Sequence, residues 1–110
     1  MNNKFAALPR SPLQIAAAQA QPVCGDVTAN IMKTVELTGL AADRGAQLVV
    51  FPEKFLSGYE PGLIAGDPAQ YAFELADARL DPIREICRRR GIAAIVGAAT
   101  RGADGLHISS

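Results

Sequence analysis

Short apolar runs alternate with longer amphipathic stretches along these 110 residues. The first run, Ile15-Ala16-Ala17-Ala18-Gln19, is followed by Pro22 and Gly25 and suits a buried strand, although alanine is a poor strand former. Asp26 can cap a helix over about Val27–Arg44, with Gly45 just past its end as a left-handed stop. Val27, Ile31, Val35 and Ala42 recur at helical spacing and would face a sheet. Gln47-Leu48-Val49-Val50-Phe51 is apolar, partly β-branched and stopped by Pro52, which predicts a second strand. Strand, long helix, strand is a βαβ unit, so the two strands should be parallel neighbours with a right-handed crossover.

Glu53 to Gly66 holds three glycines and one proline beside Phe55 and Tyr59, and reads as an ordered loop over the carboxyl edge of the sheet. Asp67-Pro68-Ala69-Gln70 has the composition of a helix start, with a cap, a proline at the first position and a Gln to reach back. Asp81-Pro82 repeats that start, and Gly91 ends the second helix after Arg88, Arg89 and Arg90, whose charges oppose the negative end of its dipole. Ile92 to Val96 is a third apolar strand. Gly102-Ala103-Asp104-Gly105 supplies a hairpin turn, with an antiparallel partner from Leu106 onward. The pattern predicts an α/β domain over 14–110 behind a loose arm at 1–13. Because Ser109-Ser110 falls inside a new strand, the domain is expected to be truncated.

Composition narrows the function classes. Apolar residues make up 49% and charged residues 20%, which is globular rather than disordered. Eleven basic and eleven acidic side chains balance to zero, so the basic excess of a nucleic-acid binder is missing. Zero net charge also gives little colloidal repulsion and leans toward association. Cys24 and Cys87 are too few for a disulfide scaffold and lack metal-ligand spacing. The Phe5-Ala6-Ala7-Leu8 run, closed by Pro9, is too short for a secretory signal, and no apolar run approaches the roughly 20 residues of a membrane span. A cytoplasmic protein is expected, with no membrane or nucleic-acid partner. The glycines at 97, 102 and 105 form no phosphate loop.

Ligands of open α/β sheets collect at the carboxyl ends of parallel strands, and Glu53 stands there, two residues beyond Phe51. Pro52 fixes its own φ and biases Phe51 toward extended geometry, so the carboxylate should leave the sheet in a defined direction. A partly desolvated carboxylate on an apolar rim would have a raised pKa and could act as a general base near neutral pH. Spacing alone fits a solvated loop acid equally well.

The segment Val49-Val50-Phe51-Pro52-Glu53-Lys54-Phe55-Leu56-Ser57-Gly58-Tyr59-Glu60-Pro61 resembles the glutamate motif of the nitrilase superfamily, the carbon–nitrogen hydrolases. Ile15–Gln19 looks like the first strand of that family, Gly25-Asp26-Val27 with Asn30 like its first helix, and Ile95-Val96-Gly97 also agrees, so the resemblance covers roughly 14–110. It implies the N-terminal part of an α-β-β-α sandwich with a mixed sheet, and a Glu-Lys-Cys triad of which only the glutamate carries over, onto Glu53. In such a triad the glutamate takes the thiol proton, the lysine stabilises the tetrahedral intermediate and the cysteine attacks the carbon. The lysine and cysteine motifs lie beyond the hairpin near Gly102; Lys33, Lys54, Cys24 and Cys87 match neither. Ile108 departs from the asparagine frequent in the following strand.

The resemblance further implies that Phe55 and Tyr59 help shape an acyl pocket. It implies a small-molecule amide or nitrile substrate, no metal or organic cofactor, and a homo-oligomer. The 110 residues alone are expected to be inactive, and poorly soluble or self-associating. Cys87 reads as a buried structural thiol, Cys24 as a more exposed one, His107 as a surface residue and Arg88-Arg89-Arg90 as a helix-end charge cluster. The alternative is a non-catalytic truncated or split-gene α/β module that binds or assembles with a partner. A flavodoxin-like domain fits less well, given the hairpin and the missing phosphate loop.

Overall fold

The Asp26 carboxylate accepts the Ala29 N–H at 3.0 Å and opens helix α1, Val27–Asp43. The computed structural model describes residues 11–110, so most of the predicted arm lies outside the described residues. Arg44 caps α1 and Gly45 follows at φ +84°, the left-handed stop its position predicts. Strands β1 (Ile15–Ala17), β2 (Leu48–Val50) and β4 (Ala93–Ile95) form a parallel sheet in the order β1-β2-β4. Ala16 is level with Val49, and Val49 with Ala94. These three pack against one core with Ala41, Phe51, Phe55 and Ile92. Alternation turns their neighbours the other way, leaving Ile15 57% and Ile95 41% exposed.

Helix α4 (Asp81–Arg90) lies alongside α1. A second core cluster of Val27, Ile31, Leu56, Phe73, Ile83 and Ala98 ties both helices to a second sheet. That sheet has the order β3-β5-β6, from β3 (Ala72–Phe73), β5 (Ala98–Gly102) and β6 (Gly105–Ser109). β5 and β6 form the expected hairpin, with Gly102 opposite Gly105. Its first strand does not continue β4, however. The chain leaves the parallel ladder at Val96–Gly97, where the Gly97 carbonyl accepts the Leu56 N–H at 3.2 Å instead.

Three short elements differ from expectation. Pro61–Gly66 is a helix, α2, inside the stretch expected as loop; proline at its start and the buried Ile64 hold it despite two glycines. Helix α3, Pro68–Tyr71, starts where Asp67 predicts but stops after one turn, because Ala72 turns extended and enters β3. Asp81 lies inside α4 rather than capping it, since a 3₁₀ turn over Ala78–Leu80, capped by Asp77, precedes it.

Arg79 makes β3 possible. Its guanidinium sits 4.2 Å from the Phe73 ring centroid, donates to the Ala72 carbonyl at 2.8 Å and to the Gln70 carbonyl, and pairs with Asp77 at 2.8 Å. Asp77 also accepts the Glu74 and Arg79 amides at 3.3 and 3.1 Å. Hydrogen bonds from the Arg79 side chain hold the Asp77 carboxyl well below the usual carboxylate range. A depressed carboxylate stabilises the fold above its unfolded pKa and loses that contribution as pH falls toward the folded one. Urea unfolding at about pH 7 and about pH 3 should therefore show an acid loss of stability that Arg79→Met reduces. An unchanged difference between the two pH values in that variant would contradict the assignment.

Candidate active site

Phe51 is the last residue tied to the parallel sheet, its N–H donating to the Ile95 carbonyl at 2.9 Å. Pro52 then carries the chain off the carboxyl edge into a turn that starts at Glu53. Glu53 lies on a cleft of about 310 Å3 walled by Val50, Phe51, Ile95, Gly97 and Ile108. Its carboxylate is exposed, where a partly desolvated one was expected.

Two constraints place this turn. The first is steric. A Cβ on Gly97 would stand 2.5 Å from the Pro52 carbonyl oxygen, 2.6 Å from the Lys54 nitrogen and 2.7 Å from the Glu53 Cα. Only a hydrogen lets the end of β4 lie against the backbone that carries the glutamate. The second is polar. Asn30, fully buried on α1, accepts the Val23 N–H at 2.7 Å and donates to the carbonyls of Val23 at 2.8 Å and Leu56 at 3.2 Å. One carboxamide thereby joins the loop after β1 to the turn after β2, and the Gly25 N–H adds a bond to the Ser57 carbonyl at 3.0 Å.

The Tyr59 phenol donates to Glu53 Oε1 at 3.1 Å, and the Lys54 ammonium lies 4.8 Å from the Tyr59 ring centroid. The hydrogen bond to the Glu53 carboxylate, reinforced by its charge, pushes the Tyr59 phenol above its ordinary value. Phe55 goes elsewhere. It is fully buried, 5.3 Å from Phe51 between ring centroids, and stands in the core with Ala41, Val49 and Ile92 rather than on the walls of the cleft.

Among the described residues no hydrogen bond or ion pair joins the other candidates to Glu53. Cys24 is exposed, and Cys87 is half-buried on α4, where burial pushes its thiol up and away from the reactive thiolate. His107 is exposed on β6 and pairs with Asp104 at 3.1 Å. Arg88 pairs with Glu85 at 2.7 Å and Arg90 with Asp43, so the arginine cluster is divided between helix neighbours. Among the described residues no three His, Cys, Asp or Glu side chains gather to hold a metal, and no helix is long and apolar enough to cross a membrane. A larger concavity, about 480 Å3, lies between α4, β4 and the hairpin and contains neither Glu53 nor Tyr59.

Comparison with known proteins decides the family. The profile described as carbon–nitrogen hydrolase matches residues 14–109. The chain belongs to the carbon–nitrogen hydrolases. Among curated members, a nitrilase of Pseudomonas syringae pv. syringae is 31% identical over 109 residues, covering 90% of this chain and 32% of that enzyme. A glutamine-dependent NAD(+) synthetase of Thermotoga maritima is 47% identical over 49 residues, 44% of this chain and 8% of that protein. Among solved structures, a glutamate-to-leucine variant of an amidase from Nesterenkonia sp. AN1 aligns with a TM-score of 0.74 at 29% identity. The match covers 94% of this chain and 39% of the amidase, which carries the acetamide moiety of fluoroacetamide covalently at its active-site cysteine. This hydrolase chain thus spans about a third of the nitrilase and two fifths of the amidase.

The family resemblance had picked out Asn30 and Gly97, but sequence reasoning gave neither a role in holding the Glu53 turn. A signal for Asn30 existed: Asn30, Thr34 and Thr38 are all fully buried and share one face of α1 at a spacing of four. An apolar-only periodicity passes over such a stripe. The contact at Gly97 pairs residues more than forty apart and left no local signal. Gly97→Ala should destabilise the hydrolase chain by about 1–3 kcal/mol through overpacking, read as a lower urea midpoint. A midpoint equal to that of the parent would show that the Pro52–Lys54 backbone can move aside freely.

Proposed function

We propose that this chain supplies the general base of a hydrolase that cleaves a non-peptide carbon–nitrogen bond, amide or nitrile, and that Glu53 is that base. The observation that carries the reading is the placement of Glu53. It stands at the carboxyl edge of the parallel sheet, fixed by Pro52, Gly97 and Asn30, and opens on a cleft. The cysteine adduct of the related amidase supports a covalent route in which a thiol is the nucleophile. In this reading none of Lys33, Lys54, Cys24 and Cys87 serves as the lysine or cysteine of the triad, and these 110 residues by themselves are expected to be inactive.

In that route Glu53 accepts the thiol proton as sulfur bonds to the substrate carbon. For an amide, the tetrahedral intermediate collapses with loss of the C–N bond, and the nitrogen leaves carrying a proton returned by Glu53. Water, deprotonated by the same carboxylate, then attacks the thioester and releases the acid and the free thiol. A nitrile first forms a thioimidate at the same sulfur. The cleft walls Val50, Ile95 and Ile108 are apolar and suit the non-reacting part of a small acyl group.

Glu53→Gln keeps the shape of the side chain and removes its basicity. In the catalytically competent protein it should lower kcat/KM by about 10²–10⁴ while leaving the thermal midpoint unchanged. Near-parental turnover in this variant, on amide and nitrile substrates alike, would rule out Glu53 as the base.

A further inference from the structure

The Glu53 carboxylate is exposed, and Tyr59 is its one side-chain hydrogen-bond partner among the described residues. A glutamate with three free torsions and no partner samples many rotamers, and proton transfer needs one of them. Tyr59 is itself 62% exposed, so packing does not fix its ring. Two contacts do: the bond to Glu53 Oε1 and the ammonium of Lys54 on the ring face.

Lys54 is the anchored end of this series. It is 7% exposed and adopts φ +52°, a strained conformation for a residue with a side chain. Its carbonyl accepts the Gly58 N–H at 2.9 Å, and its amide nitrogen lies against Gly97. Among the described residues no carboxylate pairs with its ammonium, which leaves the Tyr59 ring face as the contact recorded for that charge. A cation on the face of a phenol draws electron density from the ring and makes its O–H a stronger donor to the carboxylate.

We propose that Tyr59 is a positioning residue for Glu53: with its ring held by Lys54, its hydroxyl fixes Oε1 and leaves Oε2 free to receive the thiol proton. This rests on the hydrolase reading of Glu53. A tyrosine that only lined an acyl pocket would act through the ring, and phenylalanine would replace it.

The test is Tyr59→Phe beside Glu53→Gln in the catalytically competent protein. Positioning predicts that Tyr59→Phe lowers kcat by at least about tenfold with KM changed less than about twofold. The hydroxyl can also be read without turnover. Read as the absorbance difference between otherwise identical proteins with and without Tyr59→Phe, the Tyr59 phenol should titrate above its ordinary value of 10.0 and fall back toward it on adding Glu53→Gln. Parental kcat in Tyr59→Phe with Glu53→Gln inactive, or a phenolate titration indifferent to Glu53→Gln, would overturn the positioning role and leave the base in place. Parental activity in Glu53→Gln would overturn the reading of the base and the positioning role with it.

Discussion

A single buried carboxamide holds the two loops of the site in register. Asn30 has both ends of its side chain occupied, its oxygen by the Val23 N–H and its nitrogen by the carbonyls of Val23 and Leu56, at no exposure to solvent. These loops leave the ends of β1 and β2, and neither has regular structure of its own to define its path. Helix α1 provides the fixed platform, because its cap, its stop and its packed face set where residue 30 points. A buried polar side chain of this kind specifies one arrangement, since any shift of either loop leaves a donor or acceptor unpaired at a cost of about 1–3 kcal/mol. The turn carrying Glu53 inherits that precision.

The architecture was legible where local chemistry coincides with the tertiary outcome. Asp26 and Gly45 bracket α1, Pro52 ends the second strand, and the glycines at 102 and 105 make the hairpin. It was not legible where a distant partner decides. β3 is two residues long and exists through Arg79, which lies beyond it in the chain and grips its carbonyls from the side. α2 forms from a proline, two glycines and one buried isoleucine, a composition that reads as loop until Ile64 finds Ala72 and Ala99.

The site divides along the same line. Position along the chain put Glu53 at the sheet edge and Tyr59 in the loop over it, and the family resemblance implied a task for the glutamate. Phe55 shows the limit of proximity: two residues from Glu53, it turns into the core against Phe51, because the turn reverses direction between them. Nor did anything in the sequence mark Lys54 as the residue that takes the left-handed conformation, since glycine or asparagine is the usual occupant.

The contact at Gly97 also shapes how this chain can diversify. Every single-nucleotide change that alters a glycine codon introduces a side chain or ends the chain, and here any Cβ meets backbone on three sides. Backbone cannot repack by rotating a side chain, so each such change at Gly97 costs stability before it alters the cleft. Change is freer in front of that contact, on the cleft walls Val50, Ile95 and Ile108 and on the stretch from Glu60 to Gly66, where side chains can grow or shrink without pressing on the backbone that carries Glu53. The backbone behind Glu53 is thereby the more constrained side of the cleft, and the side facing it the freer one.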